Sequence, residues 1–430
     1  MLCGGSVLES KSVRRGINPS LQLWCKALGG ENPAKEVFSR PLPVRSTTQL
    51  VNRRIRCQVL DKPHPMYPGT PIVASLLQPL AEMLVIKFFP FFSIIRFENL
   101  ECGGSNSFNG TCFTRRECND LGGSYSGTCA NRRGVCCIIQ KSCGSSTNVN
   151  NTYFTNVGYP GSFSGGSRCS ISVTRCNSDI CQLRLELLDL QLGQPNGDGS
   201  CLSDALTVTG GSSNVPRICG ENSGQHLFID FDGDNPITVS IDASAAVSFR
   251  RRWNIKLMQI ACNCPTLAPS GCLMYHTGSS GVVNSFNYGT MQNQALSLIN
   301  QPGTREIANL NYGVCIRMAA DNCAIRWSQA GGSFSFTVTG DVPGTDLPAT
   351  GVTGQTCLTD YVIIPNANIP GVDRYCGLGF TTVTTYTKPF VLYVITNENE
   401  GLVTDPSPDI ANRGFSLTYE QLPSGNPNLT

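Results

Sequence analysis

The feature that most constrains this chain of 430 residues is a run of cysteines that ends in an adjacent pair. The segment around them is rich in Gly, Ser, Asn and Thr, and its thiols stand at Cys102, Cys112, Cys118, Cys129, Cys136 and Cys137. So few apolar side chains cannot form a core, and the segment holds a shape only if disulfides restrict the unfolded chain. Spacing alone does not decide which thiols pair.

A zinc site is the alternative explanation for clustered thiols. Structural zinc ligands usually come as two close Cys or His pairs, and the sequence contains no CxxC. The nearest histidines, His64 and His226, lie far away along the chain. Disulfides are therefore favoured, and they predict an extracellular, secreted protein, because disulfides persist outside the cytosol.

Composition argues against two classes of partner. Charged residues make up 14% of the chain and the net charge is +2, so the sequence offers no basic patch for nucleic acid. The most apolar run, 84–95, is interrupted by Lys87 and Pro90 and falls short of the ~20 residues that a membrane-spanning helix needs. We expect neither a nucleic-acid partner nor a membrane span.

Residues 1–90 differ from the rest because they are basic, rich in proline and without clear periodicity. No apolar run of secretory-signal type follows Met1. Two interpretations are open: a natural basic extension, or a wrongly joined start that lost a signal segment. The second is favoured, since disulfide-rich domains require export. Residues before about Phe88 are therefore expected to be absent from the mature protein.

Beyond Cys137, short stretches alternate between apolar and polar residues. Leu183, Leu185 and Leu187 alternate with charged residues, which is the period of a half-buried strand. The stretches 237–242 and 334–338 repeat this pattern. Strands of this length between glycine-rich turns, without a helical period, predict β-sandwiches.

A short unit occurs twice in this region. The first copy reads Cys-Leu-Ser-Asp at 201–204 and ends in Cys-Gly at 219–220. The second reads Cys-Leu-Thr-Asp at 357–360 and ends in Cys-Gly at 376–377, after nearly the same spacing. An internal repeat of this kind indicates two copies of one fold, joined by the proline-containing segment 261–271.

At these residues the chain resembles the CUB domain family. The repeated unit carries the resemblance, and the segments 158–160 and 283–288 are similar to the first turn of that family. Asn412–Tyr419 is similar to its last strand, which typically reads GF-x-L-x-Y. With the six-cysteine segment, which resembles a clip-like module, the layout is similar to that of secreted two-CUB proteins of arthropods.

The resemblance implies an all-β protein with two tandem CUB-type jelly-roll β-sandwiches, preceded by a small disulfide-rich module and a disordered N-terminal extension. The expected parts are the extension 1–90, the cysteine module 99–139, a first CUB domain 143–260, a linker 261–271, a second CUB domain 272–422 and a tail 423–430.

The resemblance also implies a set of disulfides in the two sandwiches, which are Cys143–Cys169, Cys201–Cys219, Cys272–Cys315 and Cys357–Cys376. Additional thiols depart from the family pattern. Cys176 and Cys181 are near enough in sequence to meet across a tight turn, although Cys181 has the alternative of a distant partner. Cys323 adds one further thiol to the second half.

Calcium is the cofactor that the resemblance suggests. Many CUB domains bind it through a Glu, the Asp of the repeated unit and a later Asp, and hard oxygen ligands suit this ion. The middle ligand would be Asp204 or Asp360, and the last ligand Asp242 or Asn397. The first position falls on neutral Gln191 in the first sandwich, so that site should be weaker. Asp360 is expected at a loop end, outside the core. The alternative is that both aspartates are ordinary turn carboxylates.

The sequence lacks the usual catalytic constellations. Its histidines are His64, His226 and His276, and no GDSGG, HExxH or GxSxG motif occurs. His226 is expected to be an outward-facing strand residue rather than a general base. Glycosylation sequons stand at Asn109, Asn150 and Asn428, which suit a secreted surface.

These observations favour a noncatalytic binding protein that recognises an extracellular protein or glycan through the loops of its CUB domains. One alternative is a regulator or inhibitor of extracellular proteases that acts through the six-cysteine segment. A hydrolase is the least favoured alternative, because no nucleophile–base pair is recognisable.

Overall fold

The computed structural model describes residues 97–104, 108–244, 249–290, 293–297, 304–332, 335–338, 352–353, 357–368, 372–400 and 412–423. The expected extension 1–90, His64 and Asn428 lie outside this part. The described chain is nearly all β, with helix α1 (Arg115–Asp120) and a 3₁₀ turn at Gln294–Leu296. No helix among these residues is long and apolar enough to cross a membrane. Two compact units adjoin in sequence at Ile138 and Ile139.

The cysteine module is a small antiparallel sheet with one helix. Its strands pair in the order β1-β2-β4-β3, and they are β1 (Glu101–Gly103), β2 (Asn109–Phe113), β3 (Ser124–Cys129) and β4 (Gly134–Lys141). Helix α1 begins after Thr114, whose hydroxyl accepts a hydrogen bond from the amide of Glu117. The Glu117 carboxylate accepts one from the Thr114 amide, which completes a capping box and fixes the start of the helix.

Disulfides replace a conventional core in this module. The first cysteine pairs with the fifth, the second with the fourth and the third with the sixth, which gives Cys102–Cys136, Cys112–Cys129 and Cys118–Cys137. Strand β4 contains the adjacent Cys136 and Cys137, and each of them forms one of these bonds. The adjacent cysteines therefore attach strand β1 and helix α1 to the same strand, β4.

The first sandwich has two sheets. One has the order β6-β12-β8-β10 and the other β5-β7-β11-β9. Its strands are β5 (Ser145–Thr147), β6 (Thr152–Thr155), β7 (Ser167–Val173), β8 (Ile180–Gln191), β9 (Ala205–Thr209), β10 (His226–Asp230), β11 (Ile237–Ala243) and β12 (Arg252–Ala261). The predicted alternation is confirmed in β8, where Leu183, Leu185 and Leu187 are fully buried.

The second sandwich has the same plan. One sheet runs β13-β15-β22-β19-β20, with β18 also on β20; the other runs β14-β23-β16-β21, and β17 pairs with both β20 and β23. The strands are β13 (Cys272–His276), β14 (Ser280–Asn284), β15 (Asn311–Ile316), β16 (Asn322–Gln329), β17 (Phe336–Val338), β18 (Val352–Thr353), β19 (Tyr361–Ile363), β20 (Arg374–Leu378), β21 (Val383–Thr385), β22 (Phe390–Ile395) and β23 (Gly414–Pro423).

The two sandwiches pack directly on each other. A continuous cluster of buried apolar side chains extends through both, and its largest members are Trp253 and Trp327. A smaller cluster joins Phe228 of the first sandwich to Tyr275 of the second, and it includes Ala268 of the segment 261–271. This segment is therefore part of the interface rather than a spacer that holds the sandwiches apart. We call the whole interface the junction.

Disulfides close loops within each sandwich. The bonds are Cys143–Cys169, Cys201–Cys219, Cys272–Cys315 and Cys357–Cys376, which are the pairs that the resemblance implies. Cys181 is bonded to Cys262, so the distant-partner alternative describes the structure. That bond ties the start of β8 to the residue after β12, at the edge of the junction.

Candidate functional site

Asp204 of the first repeated unit lies in a fully buried ion pair. The Arg251 Nε donates to Asp204 Oδ1 at 2.8 Å and to Oδ2 at 2.7 Å. The amide of Gly193 donates to Oδ2 at 2.6 Å. A fixed positive charge at this position repels a divalent cation. Calcium binding by Asp204 stays a prediction, and this ion pair favours the alternative, in which the carboxylate serves the core of the first sandwich.

The surroundings of Arg251 are shaped to hold the guanidinium. Its Nη1 donates to the carbonyl of Ser164 at 3.1 Å, and its Cζ lies 5.3 Å from the centre of the Phe249 ring. Gly165 has a φ of +86°, and a Cβ there would lie 2.1 Å from Nη1. Only glycine fits at this position, for both reasons.

Asp242, the other predicted ligand of the first sandwich, caps a local turn. Its Oδ1 accepts hydrogen bonds from the Ser244 hydroxyl at 2.7 Å and the Ser244 amide at 3.2 Å. The hydroxyl bond holds the pKa of Asp242 below its usual value. Asp242 therefore matches the alternative of an ordinary turn carboxylate.

Asp360 of the second repeated unit has acidic rather than basic neighbours. Glu306 and Glu400 lie beside it, and all three carboxyl groups are buried; Asp360 itself is 2% exposed, contrary to the expected loop end. Its Oδ1 accepts a hydrogen bond from the Asn397 amide at 2.7 Å. Among the described residues, no donor reaches either carboxylate oxygen of Glu306.

Burial and mutual repulsion keep part of this carboxyl cluster protonated. Desolvation, followed by the charge of Asp360, raises the pKa of Glu306 well above its usual value. Desolvation and the neighbouring carboxylates raise the pKa of Glu400 to about 10. Asn412 stabilises Glu400 through a hydrogen bond of 2.6 Å from Nδ2 to Oε2. Glu400 is therefore neutral at pH 7, and the repeated aspartates sit in electrostatically opposite surroundings.

The carboxylate oxygens of this cluster are chemically suitable ligands for calcium, but their side chains are not arranged around a common point. The two Glu306 oxygens, which accept no hydrogen bond from the described residues, are hard ligands of the kind that the ion prefers. Within the described ranges, however, no group of three or more His, Cys, Asp or Glu side chains is placed to hold a metal ion. The Asn397 side-chain oxygen accepts a hydrogen bond from the Asn399 amide at 2.8 Å. Calcium at Asp360 and Asn397 stays a prediction.

The repeated units also present matching apolar tips. The leucine between Cys and Asp is Leu202 in the first sandwich and Leu358 in the second. They are 73% and 74% exposed, whereas the aspartate that follows two residues later is buried in each case. Each tip is adjacent to a disulfide that anchors the loop.

Asn287 of the second sandwich is the hydrogen-bonding centre of the junction. Its amide donates to Asn222 Oδ1 at 2.8 Å, and its Oδ1 accepts from the Glu221 amide at 2.9 Å. Its Nδ2 donates to Gln194 Oε1 at 2.8 Å and to the carbonyl of Arg305 at 2.9 Å. Three of these four bonds cross between the sandwiches, two through the side chain of Asn287 and one through its backbone amide, so this buried residue helps to fix their relative position.

Two backbone features make room for this centre. Asn287 has a φ of +61°, a left-handed conformation that asparagine adopts more readily than most residues. Gly220, the glycine that ends the first repeated unit, lies so close that a Cβ would be 1.9 Å from Asn287 Oδ1. The glycine of the repeat therefore permits the close approach of the second sandwich.

A polar cleft of about 420 Å³ opens beside Asn287. Its wall from the first sandwich consists of Gln194, Glu221, Ser223, Gly224 and Gln225. Its wall from the second consists of Asn284, Asn287, Tyr288, Gly289, Thr290, Asn293 and Thr304. Amide, hydroxyl and carboxylate groups therefore dominate the lining, and burial raises the pKa of Tyr288, which keeps its phenol protonated at neutral pH. The cleft suits a hydrophilic ligand group that offers several hydrogen bonds.

His226 is not a solvent-facing strand residue. It points away from the core of its own sandwich, as the alternation predicts, because Leu227 and Ile229 lie in that core, whereas Phe228, on the same side as His226, is buried in the junction. Strand β13 of the second sandwich covers that outer face, and the His226 ring contacts Tyr275 and His276. The strand period gave the correct direction of the His226 side chain, but the expectation of solvent exposure did not allow for the second sandwich packing on that face.

The sequons differ in their surroundings. Asn109 is exposed at the start of β2, as a glycosylated residue requires. Asn150 is partly buried, and its Oδ1 accepts hydrogen bonds from the amides of Gln259 at 2.7 Å and Asn151 at 2.9 Å. Asn109 therefore suits a glycan better than Asn150 does.

Sequence reasoning missed several residues of the junction and of the buried clusters, namely Arg251, Asn287, Glu306 and Glu400. Arg251 stands in a run of three arginines, which carries no sign of which one is buried. Asn287 lies in the segment 283–288, which the resemblance places at a turn, but its bonds to the first sandwich had no signal in the sequence. The two glutamates are separated by a long stretch of sequence and meet only through the fold.

Comparison with known proteins identifies part of the chain. No curated protein matches it. The zebrafish Gpr126/Adgrg6 extracellular region is similar in structure at 12% identity and a TM-score of 0.25, over 67% of this chain and 38% of that one. The CUB1-EGF-CUB2 domains of rat MASP-1 align at 12% identity and a TM-score of 0.23, over 64% of this chain and 99% of that one.

The corresponding human MASP-1/3 domain aligns at 15% identity and a TM-score of 0.21, over 63% of this chain and 98% of that one. The family match is more specific in its range. Domains of the matching family are typically noncatalytic, protein-binding and extracellular. Residues 269–422 match the animal CUB domain.

Proposed function

We propose that this protein is a secreted, noncatalytic binding protein of the arthropod two-CUB type. In this proposal residues 143–260 form a second CUB domain, beside the one at 272–422, and the cysteine module is clip-like. The shared plan of two sheets and the repeated Cys-x-x-Asp unit support this assignment. Exposed Asn109 carries a glycan, in keeping with secretion.

The ligand, in this proposal, is an extracellular protein that places a hydrophilic segment in the cleft at the junction. The observation that carries the proposal is the cleft itself, because both sandwiches supply its polar lining and Asn287 fixes their positions. Glu221 is its acidic member and accepts a hydrogen bond from Asn293 Nδ2 at 3.0 Å. A ligand segment with amide or basic groups matches such a lining.

Blocking the cleft is expected to abolish ligand capture. Asn284 is exposed at the end of β14 and lines the cleft, so Asn284→Trp fills it without disturbing the core. Val282 is exposed on the same face of β14 but does not line the cleft, which makes Val282→Trp the matched control. The immobilised full chain and both variants are incubated with extracellular fluid from the source tissue, and the captured proteins are identified by mass spectrometry.

We expect the wild type and Val282→Trp to capture the same protein at least tenfold above a blank surface, and Asn284→Trp to lose it. A ligand that binds all three chains equally would contradict the cleft as its site. The absence of any protein enriched by the wild type would contradict the binding role itself.

We also propose that calcium binds the second sandwich through Asp360 and Asn397, and that Asp204 takes no part. Addition of calcium should then raise the melting temperature of the full chain, with ~2.7 kcal/mol of stabilisation at ~100 times Kd. Asp360→Ala starts from lower stability, because the Asn397 amide loses its acceptor, but it should show no calcium shift. Asp242→Ala should keep the shift. Melts with calcium and with chelator measure this, and an unchanged wild type removes the site.

A further inference from the structure

Two histidines from different sandwiches stack on each other at the junction. The ring of His226 on β10 and the ring of His276 on β13 have centroids 4.9 Å apart, at an angle of 66°. His226 Nε2 lies 3.2 Å from the Tyr275 amide nitrogen and 3.0 Å from the Tyr275 carbonyl oxygen, so it accepts from the amide in one tautomer and donates to the carbonyl in the other. The side chain of one sandwich thus forms a hydrogen bond with the backbone of the other, and the second imidazole lies against it.

The groups that face this pair are mainly positive or neutral. Strand β8 contributes Arg184, whose Nη2 lies 2.9 Å from the Glu186 carboxylate, so the nearest acid is already engaged. The other titratable side chains on this side, among the described residues, are Tyr275 on β13, Tyr419 on β23 and Arg317 after β15. The Tyr419 ring centroid lies 6.0 Å from that of His276, and Arg317 donates to the carbonyl of Thr277. Burial, followed by the charge of Arg184, lowers the pKa of His226 to about 3 and that of His276 to about 4.

Protonation of either ring would break a hydrogen bond or add an unsatisfied donor. A proton on His226 Nε2 lets that nitrogen donate to the Tyr275 carbonyl, 3.0 Å away, but it removes the acceptor that the Tyr275 amide has in the other tautomer. His276 Nε2 is buried and, among the described residues, has no hydrogen-bond partner, so an imidazolium there would leave a buried donor unpaired. Two imidazolium rings at this separation would also repel each other and Arg184.

We propose that His226 and His276 form an acid-sensitive latch, which holds the two sandwiches together while both rings are neutral and releases them when a ring is protonated. Ser223, Gly224 and Gln225 of the cleft directly precede His226, so release also alters the binding cleft. That last clause rests on the proposed function. The latch itself depends only on the geometry of the junction.

The direction of the pH dependence follows from the lowered pKa values. Above pH ~6.5 both the closed and the open states hold neutral imidazoles, and the latch has its full effect. As the pH falls from 6.5 towards the folded-state values, only the open state binds protons, and the equilibrium shifts towards it by up to ~10-fold per pH unit for each histidine. At pH 5 the combined shift is up to ~10³-fold.

The carboxyl cluster has the opposite dependence. Glu306 and Glu400 have raised pKa values, so the folded state binds protons there and gains stability as the pH falls. A pH profile of the wild type alone would therefore combine both trends. Comparison with a variant that lacks the histidines removes the contribution of the carboxyl groups, since both proteins contain them.

The test compares the full-length wild type with the double variant His226→Gln/His276→Phe. Glutamine keeps an acceptor for the Tyr275 amide, and phenylalanine keeps a ring against Tyr419, but neither titrates. Urea unfolding at pH 7.4, 6.5, 5.5 and 5.0 gives the unfolding constant of each protein. We expect the ratio of wild-type to variant unfolding constants to rise by about 10²- to 10³-fold from pH 7.4 to pH 5.0. Parallel profiles would overturn the proposal.

A second measurement uses the wild type and does not depend on the folding of the variant. Nuclear magnetic resonance of the histidine rings, with His64 assigned by a His64→Gln variant, should find His226 and His276 neutral at pH 5.5. Titration of either ring near pH 6.5 would overturn the latch. If the wild type captures no ligand at neutral pH, the proposed binding function is wrong, but the latch is not affected. The two proposals can therefore be refuted independently.

Discussion

Asp204→Ala is expected to lower the free energy of unfolding of the first sandwich by about 3–5 kcal/mol. The carboxylate and Arg251 are both fully buried, and removal of one partner leaves a charged guanidinium without compensation in the core. The sequence alone predicted only a weaker effect of Asp204→Ala than of Asp360→Ala on the calcium-dependent gain in stability. Urea unfolding followed by the fluorescence of Trp253, which lies two residues from Arg251, measures the change.

Two variants test the cause of this loss. Asp242→Ala removes a carboxylate that caps a turn on the same sandwich, and we expect a change within about 1 kcal/mol. The double variant Asp204→Leu/Arg251→Met replaces the ion pair by apolar side chains and should recover most of the stability lost in Asp204→Ala. If Asp204→Ala is as stable as the wild type and also loses a calcium response, the ion pair is not the role of this carboxylate.

Asn287→Ala is expected to uncouple the two sandwiches and to cost at least ~3 kcal/mol. The variant leaves Gln194 Oε1, the Arg305 carbonyl and the Glu221 amide without this partner. Alanine also adopts the required positive φ less readily than asparagine. Calorimetry should resolve two thermal transitions where the wild type has one, and hydrogen exchange should increase in β10 and β13.

Asn287→Gly separates the two contributions, because glycine removes the side chain but accepts the backbone conformation. We expect it to retain part of the stability that the alanine variant loses, while still unfolding in two steps. Asn284→Ala, at an exposed position on the neighbouring strand, is the control and should be silent. A single transition in Asn287→Ala at wild-type temperature would mean that apolar packing and the other hydrogen bonds across the junction hold it without Asn287.

The strands were predictable because each depends on a short stretch of sequence. Leu183, Leu185 and Leu187 alternate with polar residues, and that period sets which side of β8 is buried wherever β8 lies. The repeated Cys-x-x-Asp units were equally local, and they located two related halves. The six cysteines indicated covalent restraint, although the choice of pairs required the three-dimensional arrangement.

The chemistry of the buried groups was not predictable, because it depends on contacts between distant segments. Arg251 and Arg252 are adjacent in sequence, yet Arg251 is buried against Asp204, whereas Arg252 at the start of β12 pairs with Asp189 near the end of β8. Which of the two arginines is buried depends on where β12 begins, because Arg252 is the first residue of that strand and Arg251 precedes it. Likewise, the repeat predicts equivalent aspartates, and the loop before the last strand approaches each one. That loop supplies Arg251 to Asp204 but places Glu400 beside Asp360.

The junction holds the two exposed leucines at a fixed distance from each other, which neither sandwich could do alone. Leu202 and Leu358 occupy equivalent tips of two domains whose relative position is fixed by Asn287 and a shared apolar core. If a partner contacts both tips, its second contact forms at an effective concentration set by this fixed spacing, without the entropy loss of a flexible linker. The fixed distance between the two leucines would then select partners that have two contact points at a matching distance. Partners with a single contact point would bind more weakly.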